Sequence, residues 1–86
     1  MLIDVRETWE FARASIAGAE LLPLGQIQEW AAKLDKAEAY VVVCHHGSRS
    51  AMACHYLQTL GFKDVRNLDG GIDAWSIAVD PKIPRY

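Results

Sequence analysis

The residues best suited to chemistry are Cys44-His45-His46-Gly47-Ser48-Arg49, which follow the apolar run Tyr40-Val41-Val42-Val43. A helical pattern begins just beyond them, near Ser50. A cysteine at the carboxyl end of a buried strand, above a helix N-terminus, gathers unpaired backbone N–H groups and the positive end of a helix dipole around one sulfur. A thiol placed there ionises readily and becomes a nucleophile. Gly47 lets the backbone turn sharply. Ser48 and Ser50 can donate hydroxyls or cap the helix. Arg49 can close the loop through backbone carbonyls or stabilise negative charge at its rim. A Cys-x4-Arg loop of this size can curl into a bowl with its amides facing the sulfur. An anionic persulfide, Cys–S–S⁻, needs such a setting.

The elements that must position this loop read as alternating strands and helices. Leu2-Ile3-Asp4-Val5 is expected to be a short buried strand, and Thr8 to cap a short helix carrying Trp9 and Phe11. Glu20-Leu21-Leu22 reads as a second strand, ended by Pro23. Ile27, Trp30, Ala31 and Leu34 share one face of a helix expected from Gly25 to Lys36. Tyr40 to Val43 is apolar without alternation, as in a parallel strand covered on both faces. The helix from about Ser50 to Leu60 turns Ala53, Leu57 and Leu60 inward and His55 outward, with Gly61 as a left-handed terminator. Val65 to Leu68 is a last strand; Asp69-Gly70-Gly71 turns into a final helix carrying Ile72, Ala74 and Trp75. The tail, Asp80 to Tyr86, is broken by prolines. The pattern predicts one α/β domain over residues 1–86, with a small, mostly parallel sheet flanked by helices on both faces. Ligands of such sheets bind beyond the carboxyl ends of the strands, where Cys44 lies.

Composition narrows the function classes. Hydrophobic residues are 51% and charged residues 23% of the 86, enough for a packed core. The net charge of −2 gives no basic field for nucleic acid or an anionic membrane surface. Two cysteines do not make a disulfide framework, and no signal peptide or transmembrane run is visible, so a reducing, cytoplasmic setting is expected.

The motifs Leu2-Ile3-Asp4-Val5-Arg6-Glu7, Trp9-Glu10-Phe11, Ile16-Ala17-Gly18-Ala19, Val42 to Ser50, Gly61-Phe62 and Asn67 to Trp75 cover most of the chain in one order. Together they resemble the single-domain rhodaneses, a sulfurtransferase family. The resemblance implies a rhodanese-like fold in which Cys44 carries a persulfide and His45, His46, Gly47, Ser48 and Arg49 line the substrate site. It assigns Asp4 and Arg6 to support of the fold near the active face. The implied reaction moves a sulfane sulfur from thiosulfate or a persulfide donor to a thiophilic acceptor: cyanide in assays, a thiol or protein in the cell. No cofactor or metal is required. Two departures stand out. The further strand and helix that usually precede the Leu-Ile-Asp-Val segment are missing, so a sheet edge is expected to be bare and open to association with another chain. Many thiosulfate-using members carry arginine or lysine where this loop has His45-His46, which points to a protein-bound persulfide as the better donor.

Two other functions compete. Cysteine-dependent phosphatases and arsenate reductases resemble Cys-x5-Arg, one residue longer, with an acid to protonate the leaving oxygen. A rhodanese-like binding or regulatory module often lacks the cysteine. The loop length and Cys44 favour sulfur transfer. Cys54, on the flank of an inner helix face, reads as core rather than as a resolving thiol. A zinc site from Cys44, Cys54 and the histidines is disfavoured, because adjacent residues rarely converge on one metal and His55 faces away. Trp9, Trp30 and Trp75 read as core or groove-lining aromatics.

Overall fold

The strand that carries the cysteine, β3 (Ala39–Val43), lies inside a four-stranded sheet and pairs on both sides. Its neighbours are β1 (Leu2–Asp4) and β4 (Asp64–Asn67), and β2 (Glu20–Leu21) completes the order β2-β1-β3-β4. Every pairing is parallel, with Asp4 opposite Val43 and Val42 opposite Asn67. The computed structural model describes residues 1–83. The prolines of the expected irregular tail are thus only partly covered, and Pro84, Arg85 and Tyr86 lie outside the described residues. No helix among the described residues is long and apolar enough to cross a membrane.

Parallel strands need crossover helices, and these cover both faces. On one face α2 (Ile27–Ala31) and α3 (Ser48–Thr59) bring Trp30, Ala31, Ala53 and Leu57 against Ile3, Tyr40 and Val42. On the other, α1 (Thr8–Arg13) leads into Ala14 and Ile16, which pack with Val43 and with Ile72 of α4 (Gly71–Ala78). The odd and even positions of β3 thus serve two cores, although Val41 is 36% exposed where the second face is left uncovered.

Several expected boundaries shift for local reasons. Glu7, not Thr8, caps α1, and its own N–H donates to the Glu10 carboxylate at 3.0 Å. The helix expected over Gly25–Lys36 splits into a tight 3-10 turn, Leu24–Gln26, and the short α2. Beyond it Lys33 and Leu34 donate to carbonyls three residues back, so the chain winds too tightly to continue an α-helix. The Trp30 indole fixes this segment by donating to the Pro23 carbonyl at 2.9 Å. Leu60 is 36% exposed rather than inward, because the helix ends at Thr59. Gly61, with φ of 96°, terminates it as expected. Its N–H reaches the Gln58 carbonyl and that of Phe62 reaches Leu57, which satisfies two orphan carbonyls. Trp9 is 60% exposed and does not join either core.

Asp4 and Arg6 form a buried pair at the end of β1, both 0% exposed. The Arg6 guanidinium meets the Asp4 carboxylate through Nε at 2.9 Å and a terminal nitrogen at 2.7 Å. It also donates to the Glu10 and Ala14 carbonyls at the end of α1. Removing one member leaves a buried charge without its partner. Arg6→Met is expected to destabilise the fold by roughly 3–5 kcal/mol in chemical unfolding. The double variant Asp4→Leu/Arg6→Met should recover a measurable part of that loss. Wild-type stability for Arg6→Met alone would contradict this assignment.

Candidate active site

Residues 44–49 bend back over the N-terminus of α3, with Gly47 in a left-handed conformation (φ 109°) just before the helix. The Gly47 N–H donates to Cys44 Sγ at 3.0 Å, and the Ser50 hydroxyl lies 3.3 Å from the same sulfur. Burial pushes the Cys44 thiol up, but the Ser50 hydroxyl and the N–H groups of Ser50, Gly47 and Arg49 outweigh it. The net result is a thiol below its ordinary value. Burial pushes the Cys54 thiol up, and it packs in the core beside Ala53 and Leu57.

Neighbouring elements take up the loop's carbonyls. The Ile72 N–H takes the Cys44 carbonyl at 2.8 Å, and the Asp73 N–H takes that of His45 at 3.1 Å. Asn67 Nδ2 holds the Gly47 carbonyl at 3.1 Å. The first turn of α4 can come this close only because residue 71 is glycine. A Cβ there would lie 2.3 Å from the Cys44 carbonyl oxygen and 2.4 Å from that of His45. Its φ of 63° also suits glycine best.

Ser50 is fully buried and has one hydroxyl hydrogen facing three acceptors: Cys44 Sγ, the Gly47 carbonyl and Asn67 Oδ1. An ionised sulfur draws that hydrogen most strongly. Asn67, at the end of β4, therefore orients Ser50 and the loop together. Sequence reasoning gave it no role; its signal lay only in its place at the carboxyl end of a neighbouring strand.

Arg49 reaches across to α1. Its guanidinium makes two bonds to Glu10, at 2.6 and 2.8 Å, and so ties the loop to α1. Glu10 is 3% exposed and was not singled out as a site residue. Its spacing from Glu7 was the available sign of a capping role. His45 is half-buried and His46 exposed, with their rings stacked 4.0 Å apart. Burial lowers the pKa of His45, and His46 adds to that effect. Ser48 is exposed at the helix start. The loop thus brings Cys44, Gly47, Ser50 and the backbone of Arg49 to one sulfur and leaves the Ser48 hydroxyl at the surface.

The chain is similar to known proteins in sequence and fold. The family described as "Rhodanese-like domain" matches residues 1–78. The chain is 45% identical over 89 residues to Rhodanese-like/PpiC domain-containing protein 12, chloroplastic, of Arabidopsis thaliana, covering 99% of this chain but 30% of that protein. It is 32% identical over 85 residues to Thiosulfate sulfurtransferase GlpE of Pseudoalteromonas translucida, covering 99% of this chain and 81% of that protein. The crystal structure of a rhodanese-related protein from Thermoplasma volcanium superposes with a TM-score of 0.85 at 33% identity, over 99% of this chain and 83% of the other. The rhodanese-like α/β fold expected from the sequence is therefore observed.

The Ser50 contact supplies a direct test. In a Cys54→Ala background, the pH midpoint of Cys44 alkylation should lie below that of a free thiol. Ser50→Ala should raise it by about one unit, the worth of one hydrogen bond to a charged group. An unmoved midpoint would remove Ser50 from the anion cradle.

Proposed function

The chain belongs to the rhodanese-like domain family, and on that premise we propose that it is a sulfurtransferase whose Cys44 carries the transferred sulfur as a persulfide. The observation that supports this most is the pair of donors on Sγ, the Gly47 N–H at 3.0 Å and the Ser50 hydroxyl at 3.3 Å. They favour the thiolate, and the same ring of donors suits the anionic persulfide that replaces it.

In the first half-reaction the Cys44 thiolate attacks the outer sulfur of the donor. A bond forms between Cys44 Sγ and that sulfur, and the donor's own S–S bond breaks. The bonding pair leaves on sulfite when thiosulfate is the donor, or on a thiolate when a persulfide is. In the second half-reaction a nucleophilic acceptor attacks the outer sulfur and the Cys44 thiolate departs. No general base is needed for a sulfur that is already ionised. The two steps make a ping-pong scheme.

The rim bears on the donor. The Arg49 charge is matched by the Glu10 carboxylate, and the other basic side chains of the loop are imidazoles. Such a rim attracts a dianion less than fixed, unmatched cations would. A persulfide carried on a protein or small thiol suits it better than thiosulfate, although a relative is named for thiosulfate. Cys44 is 1% exposed, so the donor must displace part of the rim to reach Sγ. The acceptor is a thiophile: cyanide in an assay, a thiol or protein otherwise.

Sulfur loading tests the reading. After incubation with thiosulfate or a low-molecular-weight persulfide, intact mass should show one added sulfur. Cyanide should remove it, and Cys44→Ser should never acquire it. Initial rates against both substrates should give parallel double-reciprocal lines. Failure to load from either donor by the folded chain would overturn the assignment.

A further inference from the structure

The rim of the loop brings together three side chains that the sulfur chemistry does not use as a set. The ligand atoms of His45, His46 and Asp73 all lie within 4.8 Å of one another. His46 Nε2 and Asp73 Oδ2 are 3.7 Å apart. The two imidazole rings stack with an angle of 24° between their planes, so adjacent residues project to the same side. The sequence alone disfavours a metal site here because adjacent residues rarely converge on one metal, yet these two neighbours lie together. The cluster also uses a different set from the one the sequence suggests: neither cysteine is in it, and Asp73 is.

The cluster is built into the fold. Asp73 sits in the first turn of α4, and its N–H is bonded to the His45 carbonyl. The approach of that turn to the loop is the one that requires glycine at position 71. The Asp73 side chain is 16% exposed and that of His46 is 68% exposed. The carboxylate and His45 thus sit on fixed backbone, while the His46 ring has solvent around it in which to turn.

We propose that His45, His46 and Asp73 form a binding site for one late first-row divalent cation of the Zn²⁺ class. Two imidazoles and a carboxylate are a nitrogen-rich ligand set that favours Zn²⁺, Ni²⁺ or Cu²⁺ over Mg²⁺ or Ca²⁺. In a tetrahedral site with bonds of about 2.1 Å, ligand atoms stand roughly 3.4 Å apart. The His46–Asp73 separation is already within a few tenths of an ångström of that value, and the stacked rings must open so that one nitrogen of each faces the same cation, a turn for which the exposed His46 ring has room. Three protein ligands leave a fourth position, which opens to solvent beside His46. The bound cation would join the loop to the start of α4. The site stands apart from the sulfurtransferase reading, so either can fail alone.

Cation titration of the full chain decides it, with Cys44→Ser as the parent to remove the competing thiolate. Co²⁺ serves as the spectroscopic probe and Zn²⁺, against a chromophoric chelator, as the affinity probe. The Cys44→Ser chain should bind one Co²⁺ with a visible d–d spectrum. Adding His46→Gln, His45→Gln or Asp73→Asn should each weaken Zn²⁺ at least about tenfold. His55→Gln, an exposed histidine on α3, should leave affinity unchanged. Because His46 is exposed, its substitution reports on binding whether or not the Asp73 variant folds. Loss of binding in Cys44→Ser itself, parental affinity in His46→Gln, or a weakening by His55→Gln would each overturn the proposal.

Discussion

The structure depends on a backbone contact between the loop at residues 44–49 and the first turn of α4. The Cys44 and His45 carbonyls are taken by the Ile72 and Asp73 amides, at 2.8 and 3.1 Å. Within the loop so anchored, the Gly47 N–H at 3.0 Å and the Ser50 hydroxyl at 3.3 Å reach Sγ. Glycine at 71 is a steric requirement of this contact, since a Cβ would meet both carbonyl oxygens. One backbone contact therefore connects the Asp69-Gly70-Gly71 turn to a loop whose cysteine lies 27 positions before Gly71.

Around that contact two ion pairs hold the surrounding elements in place. Asp4 and Arg6 fix the end of β1 and reach the carbonyls at the end of α1. Glu10, on the same helix, receives Arg49 from the loop. Charges of opposite sign are matched in each pair, so the cradle gains rigidity without a net field over the sulfur. The anion is stabilised by short-range amide and hydroxyl donors. Such donors act at contact distance and are little screened by salt, whereas long-range attraction between exposed charges is.

Local patterns made much of this legible. The apolar run before Cys44, the small residues after it and the helical spacing beyond Ser50 placed the thiol at a strand end above a helix. Gly61 was readable as a terminator because a helix end and a left-handed residue coincide there. The Glu10–Arg49 bond was not readable, because its partners are 39 positions apart and nothing local marks them as neighbours. Asp73 and Asn67 were missed for the same reason: their roles arise only when α4 and β4 pack against the loop. The helix over Gly25–Lys36 was overextended because its apolar spacing fits a longer helix, while hydrogen bonding in the fold tightens the segment into turns. Trp9 shows the limit of reading burial from residue type, since a short helix on the rim leaves it in solvent.

The central claim is that the loop amides, together with Ser50, hold an anionic sulfur at position 44. The most direct measurement is a crystal structure of the persulfide form, prepared by loading the reduced protein and trapping it without an acceptor. The account predicts a terminal sulfur inside the loop, within hydrogen-bond reach of several backbone N–H groups between Gly47 and Ser50. A terminal sulfur turned away from those amides, or a loop that flips its carbonyls inward to meet it, would contradict the account.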